Sequence, residues 1–236
     1  MPFNSKILTL PLVLLLSMAS ALAVNDAAQK EYQKGREFAL HFKDEQSLQA
    51  FGESIRLDPK YAPAYLWRAR VLNRVDKPKE AVEDCNKCIA LDSKFADAYS
   101  VRSWALSSLK QYSAAIVDAN KAMSLTSEGS PYLSRAKAYL GLGQFKQAIA
   151  DCNKSITISK YPETFLTRAK AWIGLKEYKN AVNDCSKAIE IFPASVYYET
   201  RATAYEKLGE DKSASKDREK AKLLRSRSVL PASSHR

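Results

Sequence analysis

The sequence is poor in the residues that build catalytic and cofactor sites. It contains two histidines, four cysteines and seven glycines in 236 residues. It carries no glycine-rich phosphate loop and no cluster with metal-ligand spacing. His41 is accompanied by no nucleophile pattern, and His235 lies at the end of the chain. We therefore expect no enzymatic activity, no cofactor and no metal site.

Long apolar runs are also scarce, and the prominent one lies near the amino terminus. Lys6 precedes the apolar residues 7–16, and Ala21, Leu22 and Ala23 form a small-x-small sequence typical of signal-peptide cleavage. The apolar stretch is shorter than the roughly 20 residues of a transmembrane helix. We interpret residues 1–23 as a signal peptide and expect export to the periplasm or beyond the cell. The alternative is an uncleaved leader that anchors the chain in the membrane.

Internal repetition is what the sequence has in abundance. An arginine followed by a small residue recurs at intervals of 34, 33, 33 and 33 residues, at Arg68, Arg102, Arg135, Arg168 and Arg201. Counting each unit from six residues before its basic residue divides the region 24–228 into six repeats: 28–61, 62–95, 96–128, 129–161, 162–194 and 195–228. Such a period indicates stacked helical repeats. Residues 229–236 are predicted to form a disordered tail.

Each repeat is predicted to contain two helices. Position 8 of every repeat is small, and so is position 20, which lets two facing helix backbones approach closely: Gly35, Ala69, Ser103, Ala136, Ala169 and Ala202, then Ser47, Ala81, Ala115, Ala148, Ala181 and Ala214. Gly143 and Gly209 at position 15 indicate the turn between the helices. Pro59 and Pro193 at position 32 mark where the second helix ends.

The period, the small columns and the proline together resemble the tetratricopeptide repeat, over residues 28–228. The resemblance implies an all-α fold, a right-handed superhelical solenoid of about six antiparallel helix-turn-helix repeats. It also implies a concave groove lined by the first helix of each repeat, in which a protein or peptide segment binds.

Each repeated arginine is followed sixteen residues later by an aspartate: Arg68 and Asp84, Arg102 and Asp118, Arg135 and Asp151, Arg168 and Asp184, Arg201 and Asp217. In a helix pair that turns near position 15, positions 7 and 23 approach one another. We interpret these residues as structural ion pairs that are largely buried. A ladder of anion-binding sites is the alternative.

In repeats of the family that this sequence resembles, position 9 of the first helix faces the groove. Here it holds Arg36, Arg70, Trp104, Lys137 and Lys170, and Arg74 follows at position 13 of the second repeat. With a net charge of +11, this row predicts an acidic partner steered by the cations and anchored by the tryptophan. A solvated cationic helix face is the alternative reading of the same row.

The resulting hypothesis is a non-catalytic protein-interaction scaffold outside the cytoplasm. The second hypothesis is an assembly factor at the membrane or envelope, tethered by an uncleaved leader or by cationic contact with anionic lipid or polymer. Export argues against a nucleic-acid partner, although the positive charge alone would suit one.

The four cysteines fall on core positions of the second helices. Cys85, Cys152 and Cys185 occupy position 24, and Cys88 occupies position 27. Ala119 replaces cysteine at position 24 of the third repeat, so the position requires a small apolar residue. We predict buried thiols and no disulfide. Cys85 and Cys88 are the one pair close enough along a helix to form a bridge.

Overall fold

The computed structural model describes residues 12–128 and 130–229. Twelve α-helices and no strand occupy this part of the chain: α1 Leu12–Leu40, α2 Asp44–Leu57, α3 Ala62–Arg74, α4 Pro78–Leu91, α5 Ala96–Ser108, α6 Tyr112–Leu125, α7 Ser130–Gly141, α8 Phe145–Ile158, α9 Pro162–Gly174, α10 Tyr178–Ile191, α11 Ser195–Lys207 and α12 Asp211–Val229. The fold is an all-α helical-repeat solenoid. Residues 1–11 of the predicted leader and residues 230–236 of the predicted tail lie outside the described residues.

The chain divides into two compact units, residues 1–93 with α1–α4 and residues 94–236 with α5–α12. In unit 2 the first helices of successive repeats contact one another, α5 with α7, α7 with α9, and α9 with α11. The second helices α6, α8, α10 and α12 make no such mutual contacts within the described residues. In unit 1, α1 contacts α3 in the same way. The first helices therefore form the inner layer of each unit.

The two columns of small residues lie face to face between the paired helices. Ala136, Ala148, Ala169 and Ala181 have no exposed surface. Where serine replaces alanine, its hydroxyl is satisfied across the pair: Ser103 Oγ donates to the Ala115 carbonyl at 2.7 Å. The helix backbones thus approach closely enough for a short side chain to bridge them.

The turn between the two helices has the same backbone conformation in all six repeats. Position 15 adopts a positive φ of 56–76°, at Phe42, Asp76, Lys110, Gly143, Lys176 and Gly209. Glycine adopts this left-handed conformation without strain, whereas a residue with a Cβ atom pays a conformational cost. The two glycines located the turn correctly, and the other four repeats make it with less suitable residues.

Each repeated arginine donates two parallel hydrogen bonds to its aspartate, an arrangement we call the arginine–aspartate staple. In all five staples, Nε and Nη2 lie 2.6–2.8 Å from the two carboxylate oxygens. The aspartate side chains are 2–8% exposed and those of the arginines 16–29%. The staples therefore join the first and second helices of a repeat through a largely buried, charge-assisted contact.

In unit 2 the remaining guanidinium nitrogen reaches the preceding repeat. Arg135 Nη1 donates to Asn120 Oδ1 at 2.7 Å, and Arg168 Nη1 donates to Asn153 Oδ1 at 2.6 Å. Arg201 Nη1 donates to Ser186 Oγ at 2.8 Å. The spacing in the sequence predicted the link within each repeat but did not indicate this second link between repeats.

The first repeat replaces the staple with aromatic packing. Position 23 is Ala50, and Lys34 at position 7 pairs with Glu31 on its own helix at 2.5 Å. Phe51 fills position 24 and has no exposed surface. Gly35 makes room for it, since a Cβ atom at Gly35 would lie 2.6 Å from the ring.

The last repeat ends the array with charge. Arg218 pairs with Glu206 at 2.6 Å, and Arg225 pairs with Glu199. Arg218 occupies position 24, which holds a buried cysteine or alanine in the four repeats before it. These pairs give the end of the array a charged face that suits contact with water.

Asp151→Ala should lower the unfolding free energy by about 3–5 kcal/mol, because it leaves the Arg135 guanidinium largely buried without its carboxylate. Chemical denaturation followed by circular dichroism measures this loss. Glu190→Ala, on an exposed site of α10, is the control and should change stability by less than about 0.5 kcal/mol. An unchanged midpoint for Asp151→Ala would show that the staple is not structural.

Candidate functional site

The inner layer of each unit carries the position-9 side chains that the sequence singled out. Arg36 lies on α1 and Arg70 on α3, in unit 1. Trp104, Lys137 and Lys170 lie on α5, α7 and α9, in unit 2. The two groups belong to different units and are described separately.

In unit 1, three residues lie around the indole ring of Trp67. We call the four residues the aromatic–arginine cluster: Tyr32, Arg36, Trp67 and Arg70. The Cζ atoms of Arg36 and Arg70 lie 4.9 and 5.0 Å from the centre of the Trp67 ring. Arg36 also lies over the Tyr32 ring at 5.7 Å. A guanidinium over an aromatic face gains cation–π attraction and keeps its edge available for a planar anion.

Arg36 has unsatisfied hydrogen-bonding capacity at the base of this cluster. Its Nε atom is shielded from solvent and has no hydrogen-bond partner among the described residues. A buried N–H without an acceptor is costly, and a bound carboxylate would satisfy it. Burial raises the pKa of the neighbouring Tyr32, partly offset by the positive charges of Arg36 and Arg70. Tyr32 therefore remains a neutral hydroxyl beside the guanidiniums.

Arg74, which the sequence analysis also assigned to the groove, contacts the preceding repeat. Its guanidinium pairs with Asp44 at the start of α2 and lies 5.2 Å from the centre of the Phe42 ring. A carboxylate of the same unit therefore compensates its charge. The same position in the fourth and fifth repeats is glycine, packed against Tyr112 and Phe145.

In unit 2, three residues form the tryptophan triad: Trp104, Lys137 and Glu163. Lys137 Nζ lies 4.3 Å from the centre of the Trp104 ring and 3.2 Å from Glu163 Oε1. The Lys137 side chain is 17% exposed. The triad fixes the indole and neutralises the lysine, so Trp104 offers an oriented apolar surface rather than a charged one.

Lys170 differs from Lys137 in its surroundings. Its side chain is exposed, and the position that corresponds to Glu163 in the following repeat is Val196. For Arg36, the corresponding position in the following repeat is Pro63, which is also uncharged. The sequence therefore supplies no acidic residue at this position for either cation.

Several of these residues carried no strong signal in the sequence. Trp67 stands three residues before Arg70, a spacing that places both on one helix face. Glu163 is 26 residues after Lys137 and is brought to it by the packing of α7 against α9. The Trp67–Arg70 contact could have been predicted from helix periodicity. The Lys137–Glu163 contact required the geometry of the repeat stack.

The described residues also include an open cavity, but neither a metal-ligand group nor a membrane-spanning helix. No group of three or more potential metal ligands occurs in this part of the chain. No described helix is both long and apolar enough to cross a membrane. A solvent-open cavity of about 410 Å³ lies between α11 and α12, lined by Tyr198, Arg201, Lys216, Asp217, Glu219, Lys220 and Leu223. Two of these lining residues, Arg201 and Asp217, already pair with one another as a staple.

The comparisons with known proteins agree with this architecture. Residues 62–95 and 130–161 match the sequence model of the tetratricopeptide repeat. The chain therefore contains tetratricopeptide repeats, which are modules that bind protein or peptide partners. No match was found among curated protein sequences.

Solved structures show the same fold at low sequence identity. A thermophilic tetratricopeptide repeat protein of Thermus thermophilus has 19% identity and a TM-score of 0.68, over 77% of this chain and 99% of that chain. PilW, a type IV pilus biogenesis factor, has 17% identity and a TM-score of 0.67, over 86% and 94%. Pseudomonas aeruginosa PilF has 19% identity and a TM-score of 0.61, over 89% and 95%. Likeness at these identities establishes the fold alone.

The cysteines lie in the core, as their positions predicted. All four have no exposed surface. Burial raises the pKa of Cys152 and of Cys185 to about 12. These two thiols therefore stay protonated at neutral pH.

The buried thiols should make the protein sensitive to alkali. Their folded pKa of about 12 lies above the unfolded value of about 8.5. Their contribution to stability is thus complete below the unfolded pKa and is lost as the pH rises toward the folded one. Denaturation midpoints measured at about pH 7.5 and about pH 10.5 should differ by less in Cys152→Ala/Cys185→Ala than in the parent chain.

Thiol titration gives the independent control for this prediction. The folded chain should react slowly with a thiol reagent, and the chain in denaturant without reductant should show four thiols. Two reactive thiols would reveal a disulfide and contradict the prediction of none.

Proposed function

We propose that this chain is a non-catalytic protein-interaction scaffold that binds an acidic partner segment on the inner layer of its repeats, outside the cytoplasm. The observation that carries this proposal is the aromatic–arginine cluster, where Arg36 combines a stacked guanidinium with a buried N–H that has no described acceptor. A carboxylate from the partner would accept that hydrogen bond and pair with the guanidinium.

Unit 2 contributes a different kind of contact. Its tryptophan triad supplies an oriented apolar surface, and Lys170 supplies an exposed cation two repeats further on. A segment that suits unit 1 carries a carboxylate, and one that suits unit 2 carries a large apolar side chain beside an acidic residue. The basic net charge of +11 raises the rate at which such a segment is encountered.

Arg36→Glu/Lys170→Glu should weaken binding of a labelled oligoglutamate peptide by about tenfold or more, because each change replaces attraction with repulsion. Fluorescence anisotropy measures the dissociation constant. The control is Lys79→Glu/Lys179→Glu, which makes the same change in net charge on exposed sites at the start of α4 and α10.

Equal loss in the two double variants would show that net charge alone attracts the peptide, and unchanged binding would place the site away from the inner layer. Melting curves of both variants exclude unfolding as the cause. Pull-down from an envelope extract with the parent chain and the Arg36→Glu/Lys170→Glu variant then identifies the physiological partner.

We further propose that residues 1–23 direct export and are removed. Their apolar core and the Ala21-Leu22-Ala23 sequence support this. Helix α1 continues from Leu12 to Leu40, so cleavage after Ala23 leaves residues 24–40 as the first helix of the array.

Mass spectrometry of the protein recovered from periplasm or medium should show an amino terminus at Val24, because the signal peptidase recognises the small residues at Ala21 and Ala23. Recovery of the intact chain from the membrane pellet, with Met1 present, would instead favour the tethered assembly factor. A variant with Ala21 and Ala23 changed to leucine should remain uncleaved and serves as the control.

A further inference from the structure

A second column of charge runs along the outer side of the repeats and takes no part in the core or in the staples. Position 26 is lysine in five successive repeats, at Lys87, Lys121, Lys154, Lys187 and Lys220. All five side chains are exposed. In unit 2 they lie on the second helices α6, α8, α10 and α12.

Exposed apolar side chains lie next to this column on two neighbouring repeats of unit 2. Ile158 and Ile191 end α8 and α10, four residues after Lys154 and Lys187, and are 46% and 48% exposed. The residues that follow add aromatic rings, with Tyr161 52% exposed and Phe192 51% exposed. Each of these two repeats thus exposes two large apolar side chains beside an exposed lysine, a composition typical of an interaction surface.

These residues share one edge of unit 2. A spacing of four places each lysine and isoleucine on the same helix face. Tyr161 and Phe192 lie in the loops that follow α8 and α10, and successive repeats run in the same direction, so both loops emerge on the same side. We call this surface the lysine–isoleucine edge, consisting of Lys154, Ile158, Tyr161, Lys187, Ile191 and Phe192.

We propose that the lysine–isoleucine edge docks on an anionic lipid surface. Lysines on flexible stems beside aliphatic and aromatic side chains form the composition that binds at the headgroup level of an anionic leaflet. Tyrosine prefers that interface because its ring is apolar and its hydroxyl is polar. Charge complementarity favours an anionic lipid surface. The ends of α8 and α10 carry three lysines, Lys154, Lys160 and Lys187, and a single carboxylate, Glu190.

This surface is formed by the second helices, whereas the partner segment of the proposed scaffold binds the first helices. Lipid docking therefore does not depend on the scaffold function, and either can fail without the other. If both hold, the chain carries its partner at a membrane with the inner layer still accessible.

The test is sedimentation of the full chain with vesicles of phosphatidylcholine, with and without phosphatidylglycerol. The parent chain should bind the anionic vesicles and show little binding to the neutral ones. Lys154→Glu/Lys187→Glu should weaken binding by at least roughly thirtyfold, given the attraction of each lysine to an anionic leaflet. The apolar leader is present in every variant, so a difference in vesicle binding between two variants measures the contribution of the lysine–isoleucine edge.

The matched control for charge is Lys146→Glu/Lys179→Glu. These lysines are exposed at the beginning of the same two helices, about 12 Å from the edge lysines along each helix axis. Their replacement changes the net charge equally and should leave most of the binding. Equal losses in the two double variants would overturn the proposal, since they would show attraction by net charge alone.

Apolar variants test the second component of the edge. Ile158→Ser/Ile191→Ser should weaken the part of the vesicle binding that persists at high salt. The control is Val117→Ser/Leu142→Ser, which should leave this binding unchanged. Val117 and Leu142 are 66% and 44% exposed elsewhere in unit 2. No binding of the parent chain to either vesicle, or binding to both that Lys154→Glu/Lys187→Glu leaves unchanged, would overturn the proposal. So would a change in oligomeric state of Ile158→Ser/Ile191→Ser on gel filtration without vesicles, which would assign the edge to a second copy of the chain.

Discussion

The bidentate hydrogen bond between arginine and aspartate determines most of the geometry of this protein. It fixes how the second helix of a repeat crosses the first, because two parallel bonds allow little rotation between a guanidinium and a carboxylate. In unit 2 the third guanidinium contact, from Arg135 to Asn120 for example, links the same side chain to the preceding repeat. One residue type thus sets the angle within a repeat and the register between repeats.

Around this fixed frame, the remaining positions vary according to what each repeat contacts. Inner repeats place cysteine or alanine at position 24, where the next first helix packs. The first repeat places Phe51 there and compensates with Gly35, and the last places Arg218 there and compensates with Glu206. Each terminal repeat lacks one neighbouring repeat. The first fills position 24 by aromatic packing, and the last places an ion pair there.

The periodicity of the sequence was enough to predict the fold, because every repeat needs the same few contacts. Small residues at positions 8 and 20 predicted the close helix pair, and the spacing of arginine and aspartate predicted that the two would meet. The left-handed turn was visible where Gly143 and Gly209 occur. It was hidden where Phe42, Asp76, Lys110 and Lys176 adopt the same conformation, since those residues are not typical of it.

The candidate site was harder to predict, because its contacts are not repeated. The cations at position 9, with Arg74 at position 13, suggested a row of charges steering an acidic partner. In the structure, Lys137 is neutralised by Glu163, Arg74 lies against Asp44, and Arg36 stacks on Trp67. Position within a repeat indicates which layer a residue belongs to, but the charge it presents depends on neighbours one repeat away.

The link between repeats also bears on how the array unfolds. A helical array behaves as a chain of units whose cooperativity is set by the contacts between neighbours. In unit 2, Asn120, Asn153 and Ser186 each receive a hydrogen bond from the next arginine. At the joint between the first two repeats, the corresponding residue is Gly52, which has no side chain to accept one; a Cβ atom placed there would lie 3.9 Å from Arg68 Nη1. The first repeat is thus coupled to its neighbour by other contacts, the Arg74–Asp44 pair and the stacking of Arg36 on Trp67, so its separation from the array should depend on salt and aromatic packing rather than on this hydrogen bond.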